Sequence, residues 1–169
     1  MAETDESRAI VTTKPESTNL PKEVDRDLPP ASSIREEVDP LTDEIKYTFL
    51  LRSTNDIANS IGMAERDVLI VRCKGNSTEA YIKTAPYVSS DGQSVKLRWN
   101  GGDIISEWWG PSSGGGALFS GAPRSLLNQM AGAEKLVISY QPYSKSKVSA
   151  VFEFDQSRSD IKNMQEVCK

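Results

Sequence analysis

Residues 110–114 read Gly-Pro-Ser-Ser-Gly, which fits G-x-S-x-G, the pattern that lifts a nucleophilic serine onto a tight turn in serine hydrolases. Ser112 would be that nucleophile. A serine hydroxyl attacks only when a base takes its proton, and the chain contains no histidine. A Ser-Lys hydrolase is the enzymatic option left, and no lysine stands near Ser112 in sequence. The flanks also differ from the hydrolase pattern, which needs a strand before the serine and a helix after it. Here IISEWW precedes and, beyond Gly114, Gly115 and Gly116, ALF follows, so both sides read as strands. Residues 110–116 are therefore expected to form a flexible hairpin loop, with Gly supplying positive φ and Ser and Pro the turn chemistry. GGGALFSG also lacks the glycine spacing of either phosphate-binding loop.

Other chemistries find few residues to work with. Without histidine a metal would need cysteine and carboxylate ligands, and two separated cysteines, Cys73 and Cys168, do not make a zinc site. They are open to two descriptions, inert buried thiols or a disulfide that closes a loop of about 95 residues. Glu36 and Glu37 lie in a polar segment with no pocket to tune them, and Glu107 is a lone carboxylate beside an aromatic pair. No catalytic residue, cofactor or metal is expected. The aromatic group Trp99, Trp108, Trp109, Tyr81 and Tyr87 has the composition of a ligand groove or, as the blander alternative, of a core. Trp108 and Trp109 are neighbours in a strand, so one faces in and the other out. The outward indole beside the glycine loop is the natural anchor for a protein partner. The expected contact surface is thus Trp108 or Trp109 with Ser112, Ser113 and Gly115.

The elements that position these residues are mostly strands. From residue 44 onward, short alternating segments are separated by turn residues: IKYTFLLR, DVLIVRCK, TEAYIKT, SVKLRWN, IISEWW, GALFS, KLVISYQ and VSAVFEFD. Leu136, Ile138 and Tyr140 share one face of the seventh, and Val148, Ala150, Phe152 and Phe154 one face of the eighth, with PYSKSK as the turn between them. Helices are expected at 123–131, where Pro123 takes a first-turn position, and at about 157–167, where Ile161, Met164 and Val167 form a stripe. The fold class is mostly β, a single antiparallel sandwich or half-barrel with two short helices.

Residues 1–43 form a different region. They hold five of the nine prolines and eleven acids against five bases, a net of −6, which leaves +2 for the rest of a chain whose total is −4. Such composition predicts an extended or disordered arm, either a tether or a strap that orders on a partner, with Ile10, Val11, Leu20, Val24 and Leu28 among its recurring apolar residues. Its one helical candidate is ASSIREEVDP, with Ser32 or Ser33 as cap and Pro40 as stop. No basic stripe suits nucleic acid, since the best cluster, Lys145 and Lys147, reads as a hairpin turn. No apolar run approaches the roughly 20 residues of a membrane-spanning helix. The start, MAETDESRAIV, shows no signal peptide, which fits a cytosolic protein or a mature sequence without its leader.

Several motifs in order, Arg72-Cys73, Trp109 to Ser112 followed by Ala-Leu-Phe, Pro142-Tyr143, Ala150 to Phe152 and the near-terminal Cys168, resemble the TagO/VasI family of type VI secretion-associated periplasmic proteins, relatives of which occur in phage and prophage genomes. The resemblance covers residues 44–169. It implies a non-enzymatic accessory domain of the cell envelope that binds another protein and carries a disulfide, here Cys73 to Cys168. The missing leader and the acidic arm depart from that family. They admit a phage context, with the protein a superinfection-exclusion factor or a virion component held by its arm.

Overall fold

The computed structural model describes residues 32–169, and the tether-or-strap question for the segment before them lies outside the described residues. Eleven strands and two helices follow in order: β1 (Ser32–Val38), β2 (Ile45–Arg52), β3 (Ile57–Ala58), β4 (Ala64–Glu65), β5 (Val68–Lys74), β6 (Ser77–Lys83), β7 (Gln93–Trp99), β8 (Ile104–Pro111), β9 (Ala117–Ser120), α1 (Pro123–Gly132), β10 (Lys135–Tyr140), β11 (Val148–Glu153) and α2 (Arg158–Val167). Nine strands make one sheet in the order β1-β2-β5-β6-β9-β8-β7-β10-β11, antiparallel at each pairing, and β3 and β4 form a small hairpin apart from it. The fold is mostly β, as its alternating segments predict.

Inward residues follow the two-residue period of each strand. Leu69, Val71 and Cys73 of β5, Val95 and Leu97 of β7, and Leu136, Ile138 and Tyr140 of β10 are buried together with Ala150 and Phe152 of β11. The sheet curls until its last strand meets the chain leaving β2. Thr54 N–H donates to Val151 O at 2.7 Å, Asn55 Nδ2 donates to Ser149 O at 2.9 Å, and Asn55 Oδ1 accepts from Val151 N–H at 2.9 Å. The Asn55 carboxamide thus stands in for a strand peptide, and the result is a half-barrel with one strand, β1, laid outside the closure.

β1 corrects two expectations. Ser32–Val38 is a strand rather than a helical turn, and it adds to the sheet ahead of the boundary drawn at residue 44. A seven-residue helix has too few hydrogen bonds to offset its nucleation cost, whereas β2 offers a full row of edge amides and carbonyls in register from Ser32↔Leu51 to Val38↔Ile45. Asp39 closes the hairpin that follows. Its Oδ1 accepts from Leu41 N–H at 2.9 Å, and Lys74 Nζ donates to its Oδ2 at 2.9 Å, a contact that holds the carboxyl down at about 2.

The helices lie where their apolar stripes predict. α1 buries Leu126, Leu127 and Met130 and packs on β6 and α2, while α2 buries Ile161 and Met164. Arg124 Nη2 donates to Asn76 O and Lys169 O, tying α1 to the chain's last residue. Cys168 is bonded to Cys73, so the end of α2 is stapled to β5.

Candidate functional site

The strand alternation of β8 separates the two tryptophans. Trp109 is fully buried, and its Nε1 donates to Glu107 Oε2 at 3.1 Å; Trp108 is 64% exposed. Trp109 is therefore core, and its expected role as a partner contact is corrected: no surface could reach its ring without opening the barrel. The outward position belongs to Trp108.

The loop after β8 is fastened rather than flexible. Ser112 Oγ accepts from Gly116 N–H at 3.1 Å and Ala117 N–H at 3.0 Å, and Ser112 N–H donates to Ala117 O at 3.0 Å. Its hydroxyl oxygen is engaged by two amides and points at the turn it organises, which explains the G-x-S-x-G coincidence as hairpin chemistry. Gly115, at φ +63°, is buried under Tyr87, where a Cβ would lie 2.1 Å from the ring carbon Cε2 and 2.6 Å from Val88 O. Val88 N–H donates to Gly115 O at 2.7 Å. Gly115 is thus a packing residue instead of a contact, Ser112 is half-buried, and of the expected surface Trp108 and Ser113 remain exposed.

The proposed aromatic groove is also dispersed. Trp99 packs against Phe154 at a ring-centroid distance of 6.2 Å, and Tyr81 stacks on Phe119 at 4.5 Å with Arg72 over its ring. Tyr87 instead joins a cluster that the sequence does not reveal. Its ring meets Tyr143 edge-on at 5.8 Å, Tyr143 N–H donates to Tyr87 O at 3.0 Å, and Tyr87 N–H donates to Ser60 Oγ at 2.9 Å. PYSKSK, residues 142–147, is the connection between the antiparallel strands β10 and β11, as expected, and Lys145 Nζ donates from it to Asn59 O beside the β3–β4 hairpin at 2.8 Å. All these segments sit at one end of the half-barrel, where β2, β6, β8 and β10 finish and β5, β7, β9 and β11 begin.

An open groove of about 700 Å³ runs along this end, lined by Ser89, Gly92, Gln93, Pro142, Tyr143 and Lys145 among others. Gly92 forms part of its wall because the backbone passes close to β8: a Cβ there would meet Trp109 O at 2.8 Å and Trp108 Cζ2 at 3.2 Å. The Trp108 indole therefore flanks the groove, and Tyr143, 64% exposed, borders it too. Gln93 and Gln141 brace it by exchanging hydrogen bonds, Gln93 Nε2 to Gln141 O at 2.9 Å and Gln141 N–H to Gln93 Oε1 at 2.6 Å.

One buried acid lies beneath. Asp67 is fully buried, with Oδ2 accepting from Tyr140 Oη–H at 2.6 Å and Oδ1 from Ala85 N–H at 2.7 Å. Burial pushes its carboxyl up and, together with the adjacent acid, pushes the Tyr140 phenol up as well. With both oxygens occupied by structural donors, this pair fixes the 84–92 loop onto β10. Among the described residues no group of three or more His, Cys, Asp or Glu could hold a metal ion.

No family model and no curated protein matches the chain. Among solved structures, invasion associated protein B from Bartonella henselae is similar over 81% of this chain and 92% of its own, at 11% identity and a TM-score of 0.45. No helix among the described residues is long and apolar enough to cross a membrane.

Proposed function

We propose that this protein is a non-enzymatic accessory domain of the bacterial cell envelope that binds another protein through Trp108, Ser113 and the adjoining groove. The observation that carries it is Trp108 itself. A large indole left 64% exposed on a regular strand, with the loop beside it pinned by Ser112, is a preformed anchor for a partner surface. The Cys73–Cys168 bond supports an oxidising compartment such as the periplasm, since structural disulfides persist there and are rare in the cytosol. The resemblance to TagO/VasI proteins supports the same setting.

A photo-crosslinking residue in place of Trp108, expressed in the native host, tests this directly. A specific adduct of one envelope protein is expected, together with at least a tenfold loss of that protein's recovery by Trp108→Ala at unchanged thermal stability. Recovery of the same proteins by wild type and Trp108→Ala would refute the assignment. Two freely alkylated thiols in protein taken from its native compartment would refute the location.

A further inference from the structure

The two outer strands of the nine-stranded sheet end differently. β11 is met by Thr54 and Asn55, whose hydrogen bonds engage the backbone at Ser149 and Val151. β1 pairs with β2 on one side, and no described strand lies on its other side. Asp39 shows which groups are left over. Its N–H donates to Glu44 O at 2.9 Å, one step beyond the Val38↔Ile45 pair, so the odd-numbered residues of β1 turn their amides and carbonyls toward β2. The even-numbered ones, Ile34, Glu36 and Val38, point theirs away from the sheet. Such an edge is a template for another strand.

Side chains decide which strand fits. Arg35, Glu36, Glu37 and Val38 are all exposed, with Val38 directly opposite Ile45, itself partly open to water. Glu37 is paired with Lys46 inside the sheet, whereas no acid among the described residues pairs with Arg35. Residues opposed in an antiparallel pair share a face, so a second β1 related by a two-fold axis normal to the sheet must be centred on a residue rather than between two. Centring on Glu36 sets Arg35 against the second copy's Glu37, and Ile34 against its Val38, each contact occurring twice. It also brings the free amides and carbonyls of Ile34, Glu36 and Val38 opposite one another. No other centre along β1 gives both an acid to Arg35 and an apolar neighbour to Val38. Centring on Arg35 would set two guanidinium groups face to face. The unfavourable contact that remains is Glu36 against Glu36 on the axis, which keeps the association weak and reversible.

We propose that two copies of this chain associate through β1, antiparallel and centred on Glu36, so that their sheets run on into one. The surface is remote in strand order from β8, which carries Trp108, and stands independently of the partner site there.

Sedimentation velocity of the full chain, from micromolar to submillimolar concentration, tests the pairing. A concentration-dependent dimer is expected. Arg35→Glu or Glu37→Arg alone should weaken it by about tenfold, since either sets like charges opposite each other at both ends of the pair. An equimolar mixture of the two single variants should recover the wild-type affinity, because each new charge then meets its opposite on the other chain. Glu36→Cys would supply the only free thiol, since both native cysteines are bonded to each other. Opposed Cα atoms at such a position lie about 5.5 Å apart, within reach of a disulfide, so it should crosslink two chains about tenfold faster than Val38→Cys. Protein that stays monomeric throughout, single variants that dimerise like wild type, or a mixture that recovers nothing would overturn the proposal. Equal crosslinking at the two positions would overturn it too.

Discussion

Removing the Cys73–Cys168 bond is the perturbation whose size follows most directly from the structure. The bond joins residues 95 apart, and the chain-entropy relation for a loop of that length gives about 4.7 kcal/mol at 25 °C. Both cysteines are almost fully buried, one in β5 and one at the end of α2, so Cys73→Ala with Cys168→Ala also leaves two small packing defects, together about 1 kcal/mol. A combined loss of roughly 6 kcal/mol is as large as the whole stability of a weak domain. Urea unfolding of the oxidised protein and the double variant measures it: at a slope near 2 kcal/mol per molar, the midpoint should fall by more than ~2 M. Each single variant should fall about as far as the double, because either one removes the crosslink. The far-UV signal of the folded variant should persist, since α2 keeps Ile161 and Met164 in the core. A midpoint shift under about 0.5 M would show that the unfolded chain gains little freedom when the bond is absent, and would refute the entropic account.

Two further substitutions probe the site's frame. Ser112→Ala strips the acceptor from the Gly116 and Ala117 amides and should cost about 1–2 kcal/mol in chemical unfolding, while a fluorophosphonate probe labels neither variant nor wild type; labelling of wild type that vanishes in Ser112→Ala would restore the hydrolase. Asp67→Asn keeps an acceptor for Ala85 N–H and offers Tyr140 a partner without a buried charge. Because the folded-state pKa of Asp67 is raised, its contribution is present below the unfolded value near 3.8 and is lost as pH rises through the folded one. The stability difference should therefore move in favour of Asn between pH 4 and pH 7, and a difference moving the other way would sink this account.

Much of the sheet was legible because strands such as β7, β10 and β11 alternate, although β5 buries Leu69, Ile70 and Val71 in succession. Ile138 and Ala150 face each other across β10 and β11, as the shared apolar faces of those two segments require, and the pair Trp108 and Trp109 split between solvent and core. β1 was not legible, because SSIREEV has the polar residues and cap of a helix start, and its strand identity comes from the open edge of β2. β3 and β4 have two residues each, too short for any period to show. The Tyr87–Tyr143 contact joins residues from separate loops and no local pattern announces it. Asp67 reads as a polar residue beside Arg66, and its burial depends on a hydroxyl 73 residues further on.

The expected mobile loop proved to be the best-tied part of the site, and this changes how binding there would work. A loose glycine loop would lose rotamer and backbone freedom on contact, at about 1–2 kcal/mol for each residue ordered. Here Ser112 fixes the turn with two amides, Tyr87 sits on Gly115, and Trp108 rests against the backbone at Gly92. The ordering has been done in folding, so for a partner that docked on Trp108, as proposed, contact energy would go to affinity rather than to fixing the loop. The cost of this arrangement falls on sequence freedom. Gly92 and Gly115 both have positive φ and both lack room for a Cβ, so each is required by the backbone and by a neighbouring ring together. An Ala at Gly92 would meet the Trp109 carbonyl oxygen before the Trp108 ring, and an Ala at Gly115 would meet the Tyr87 ring first, so either substitution would disturb the frame that holds Trp108 and Tyr87 in place.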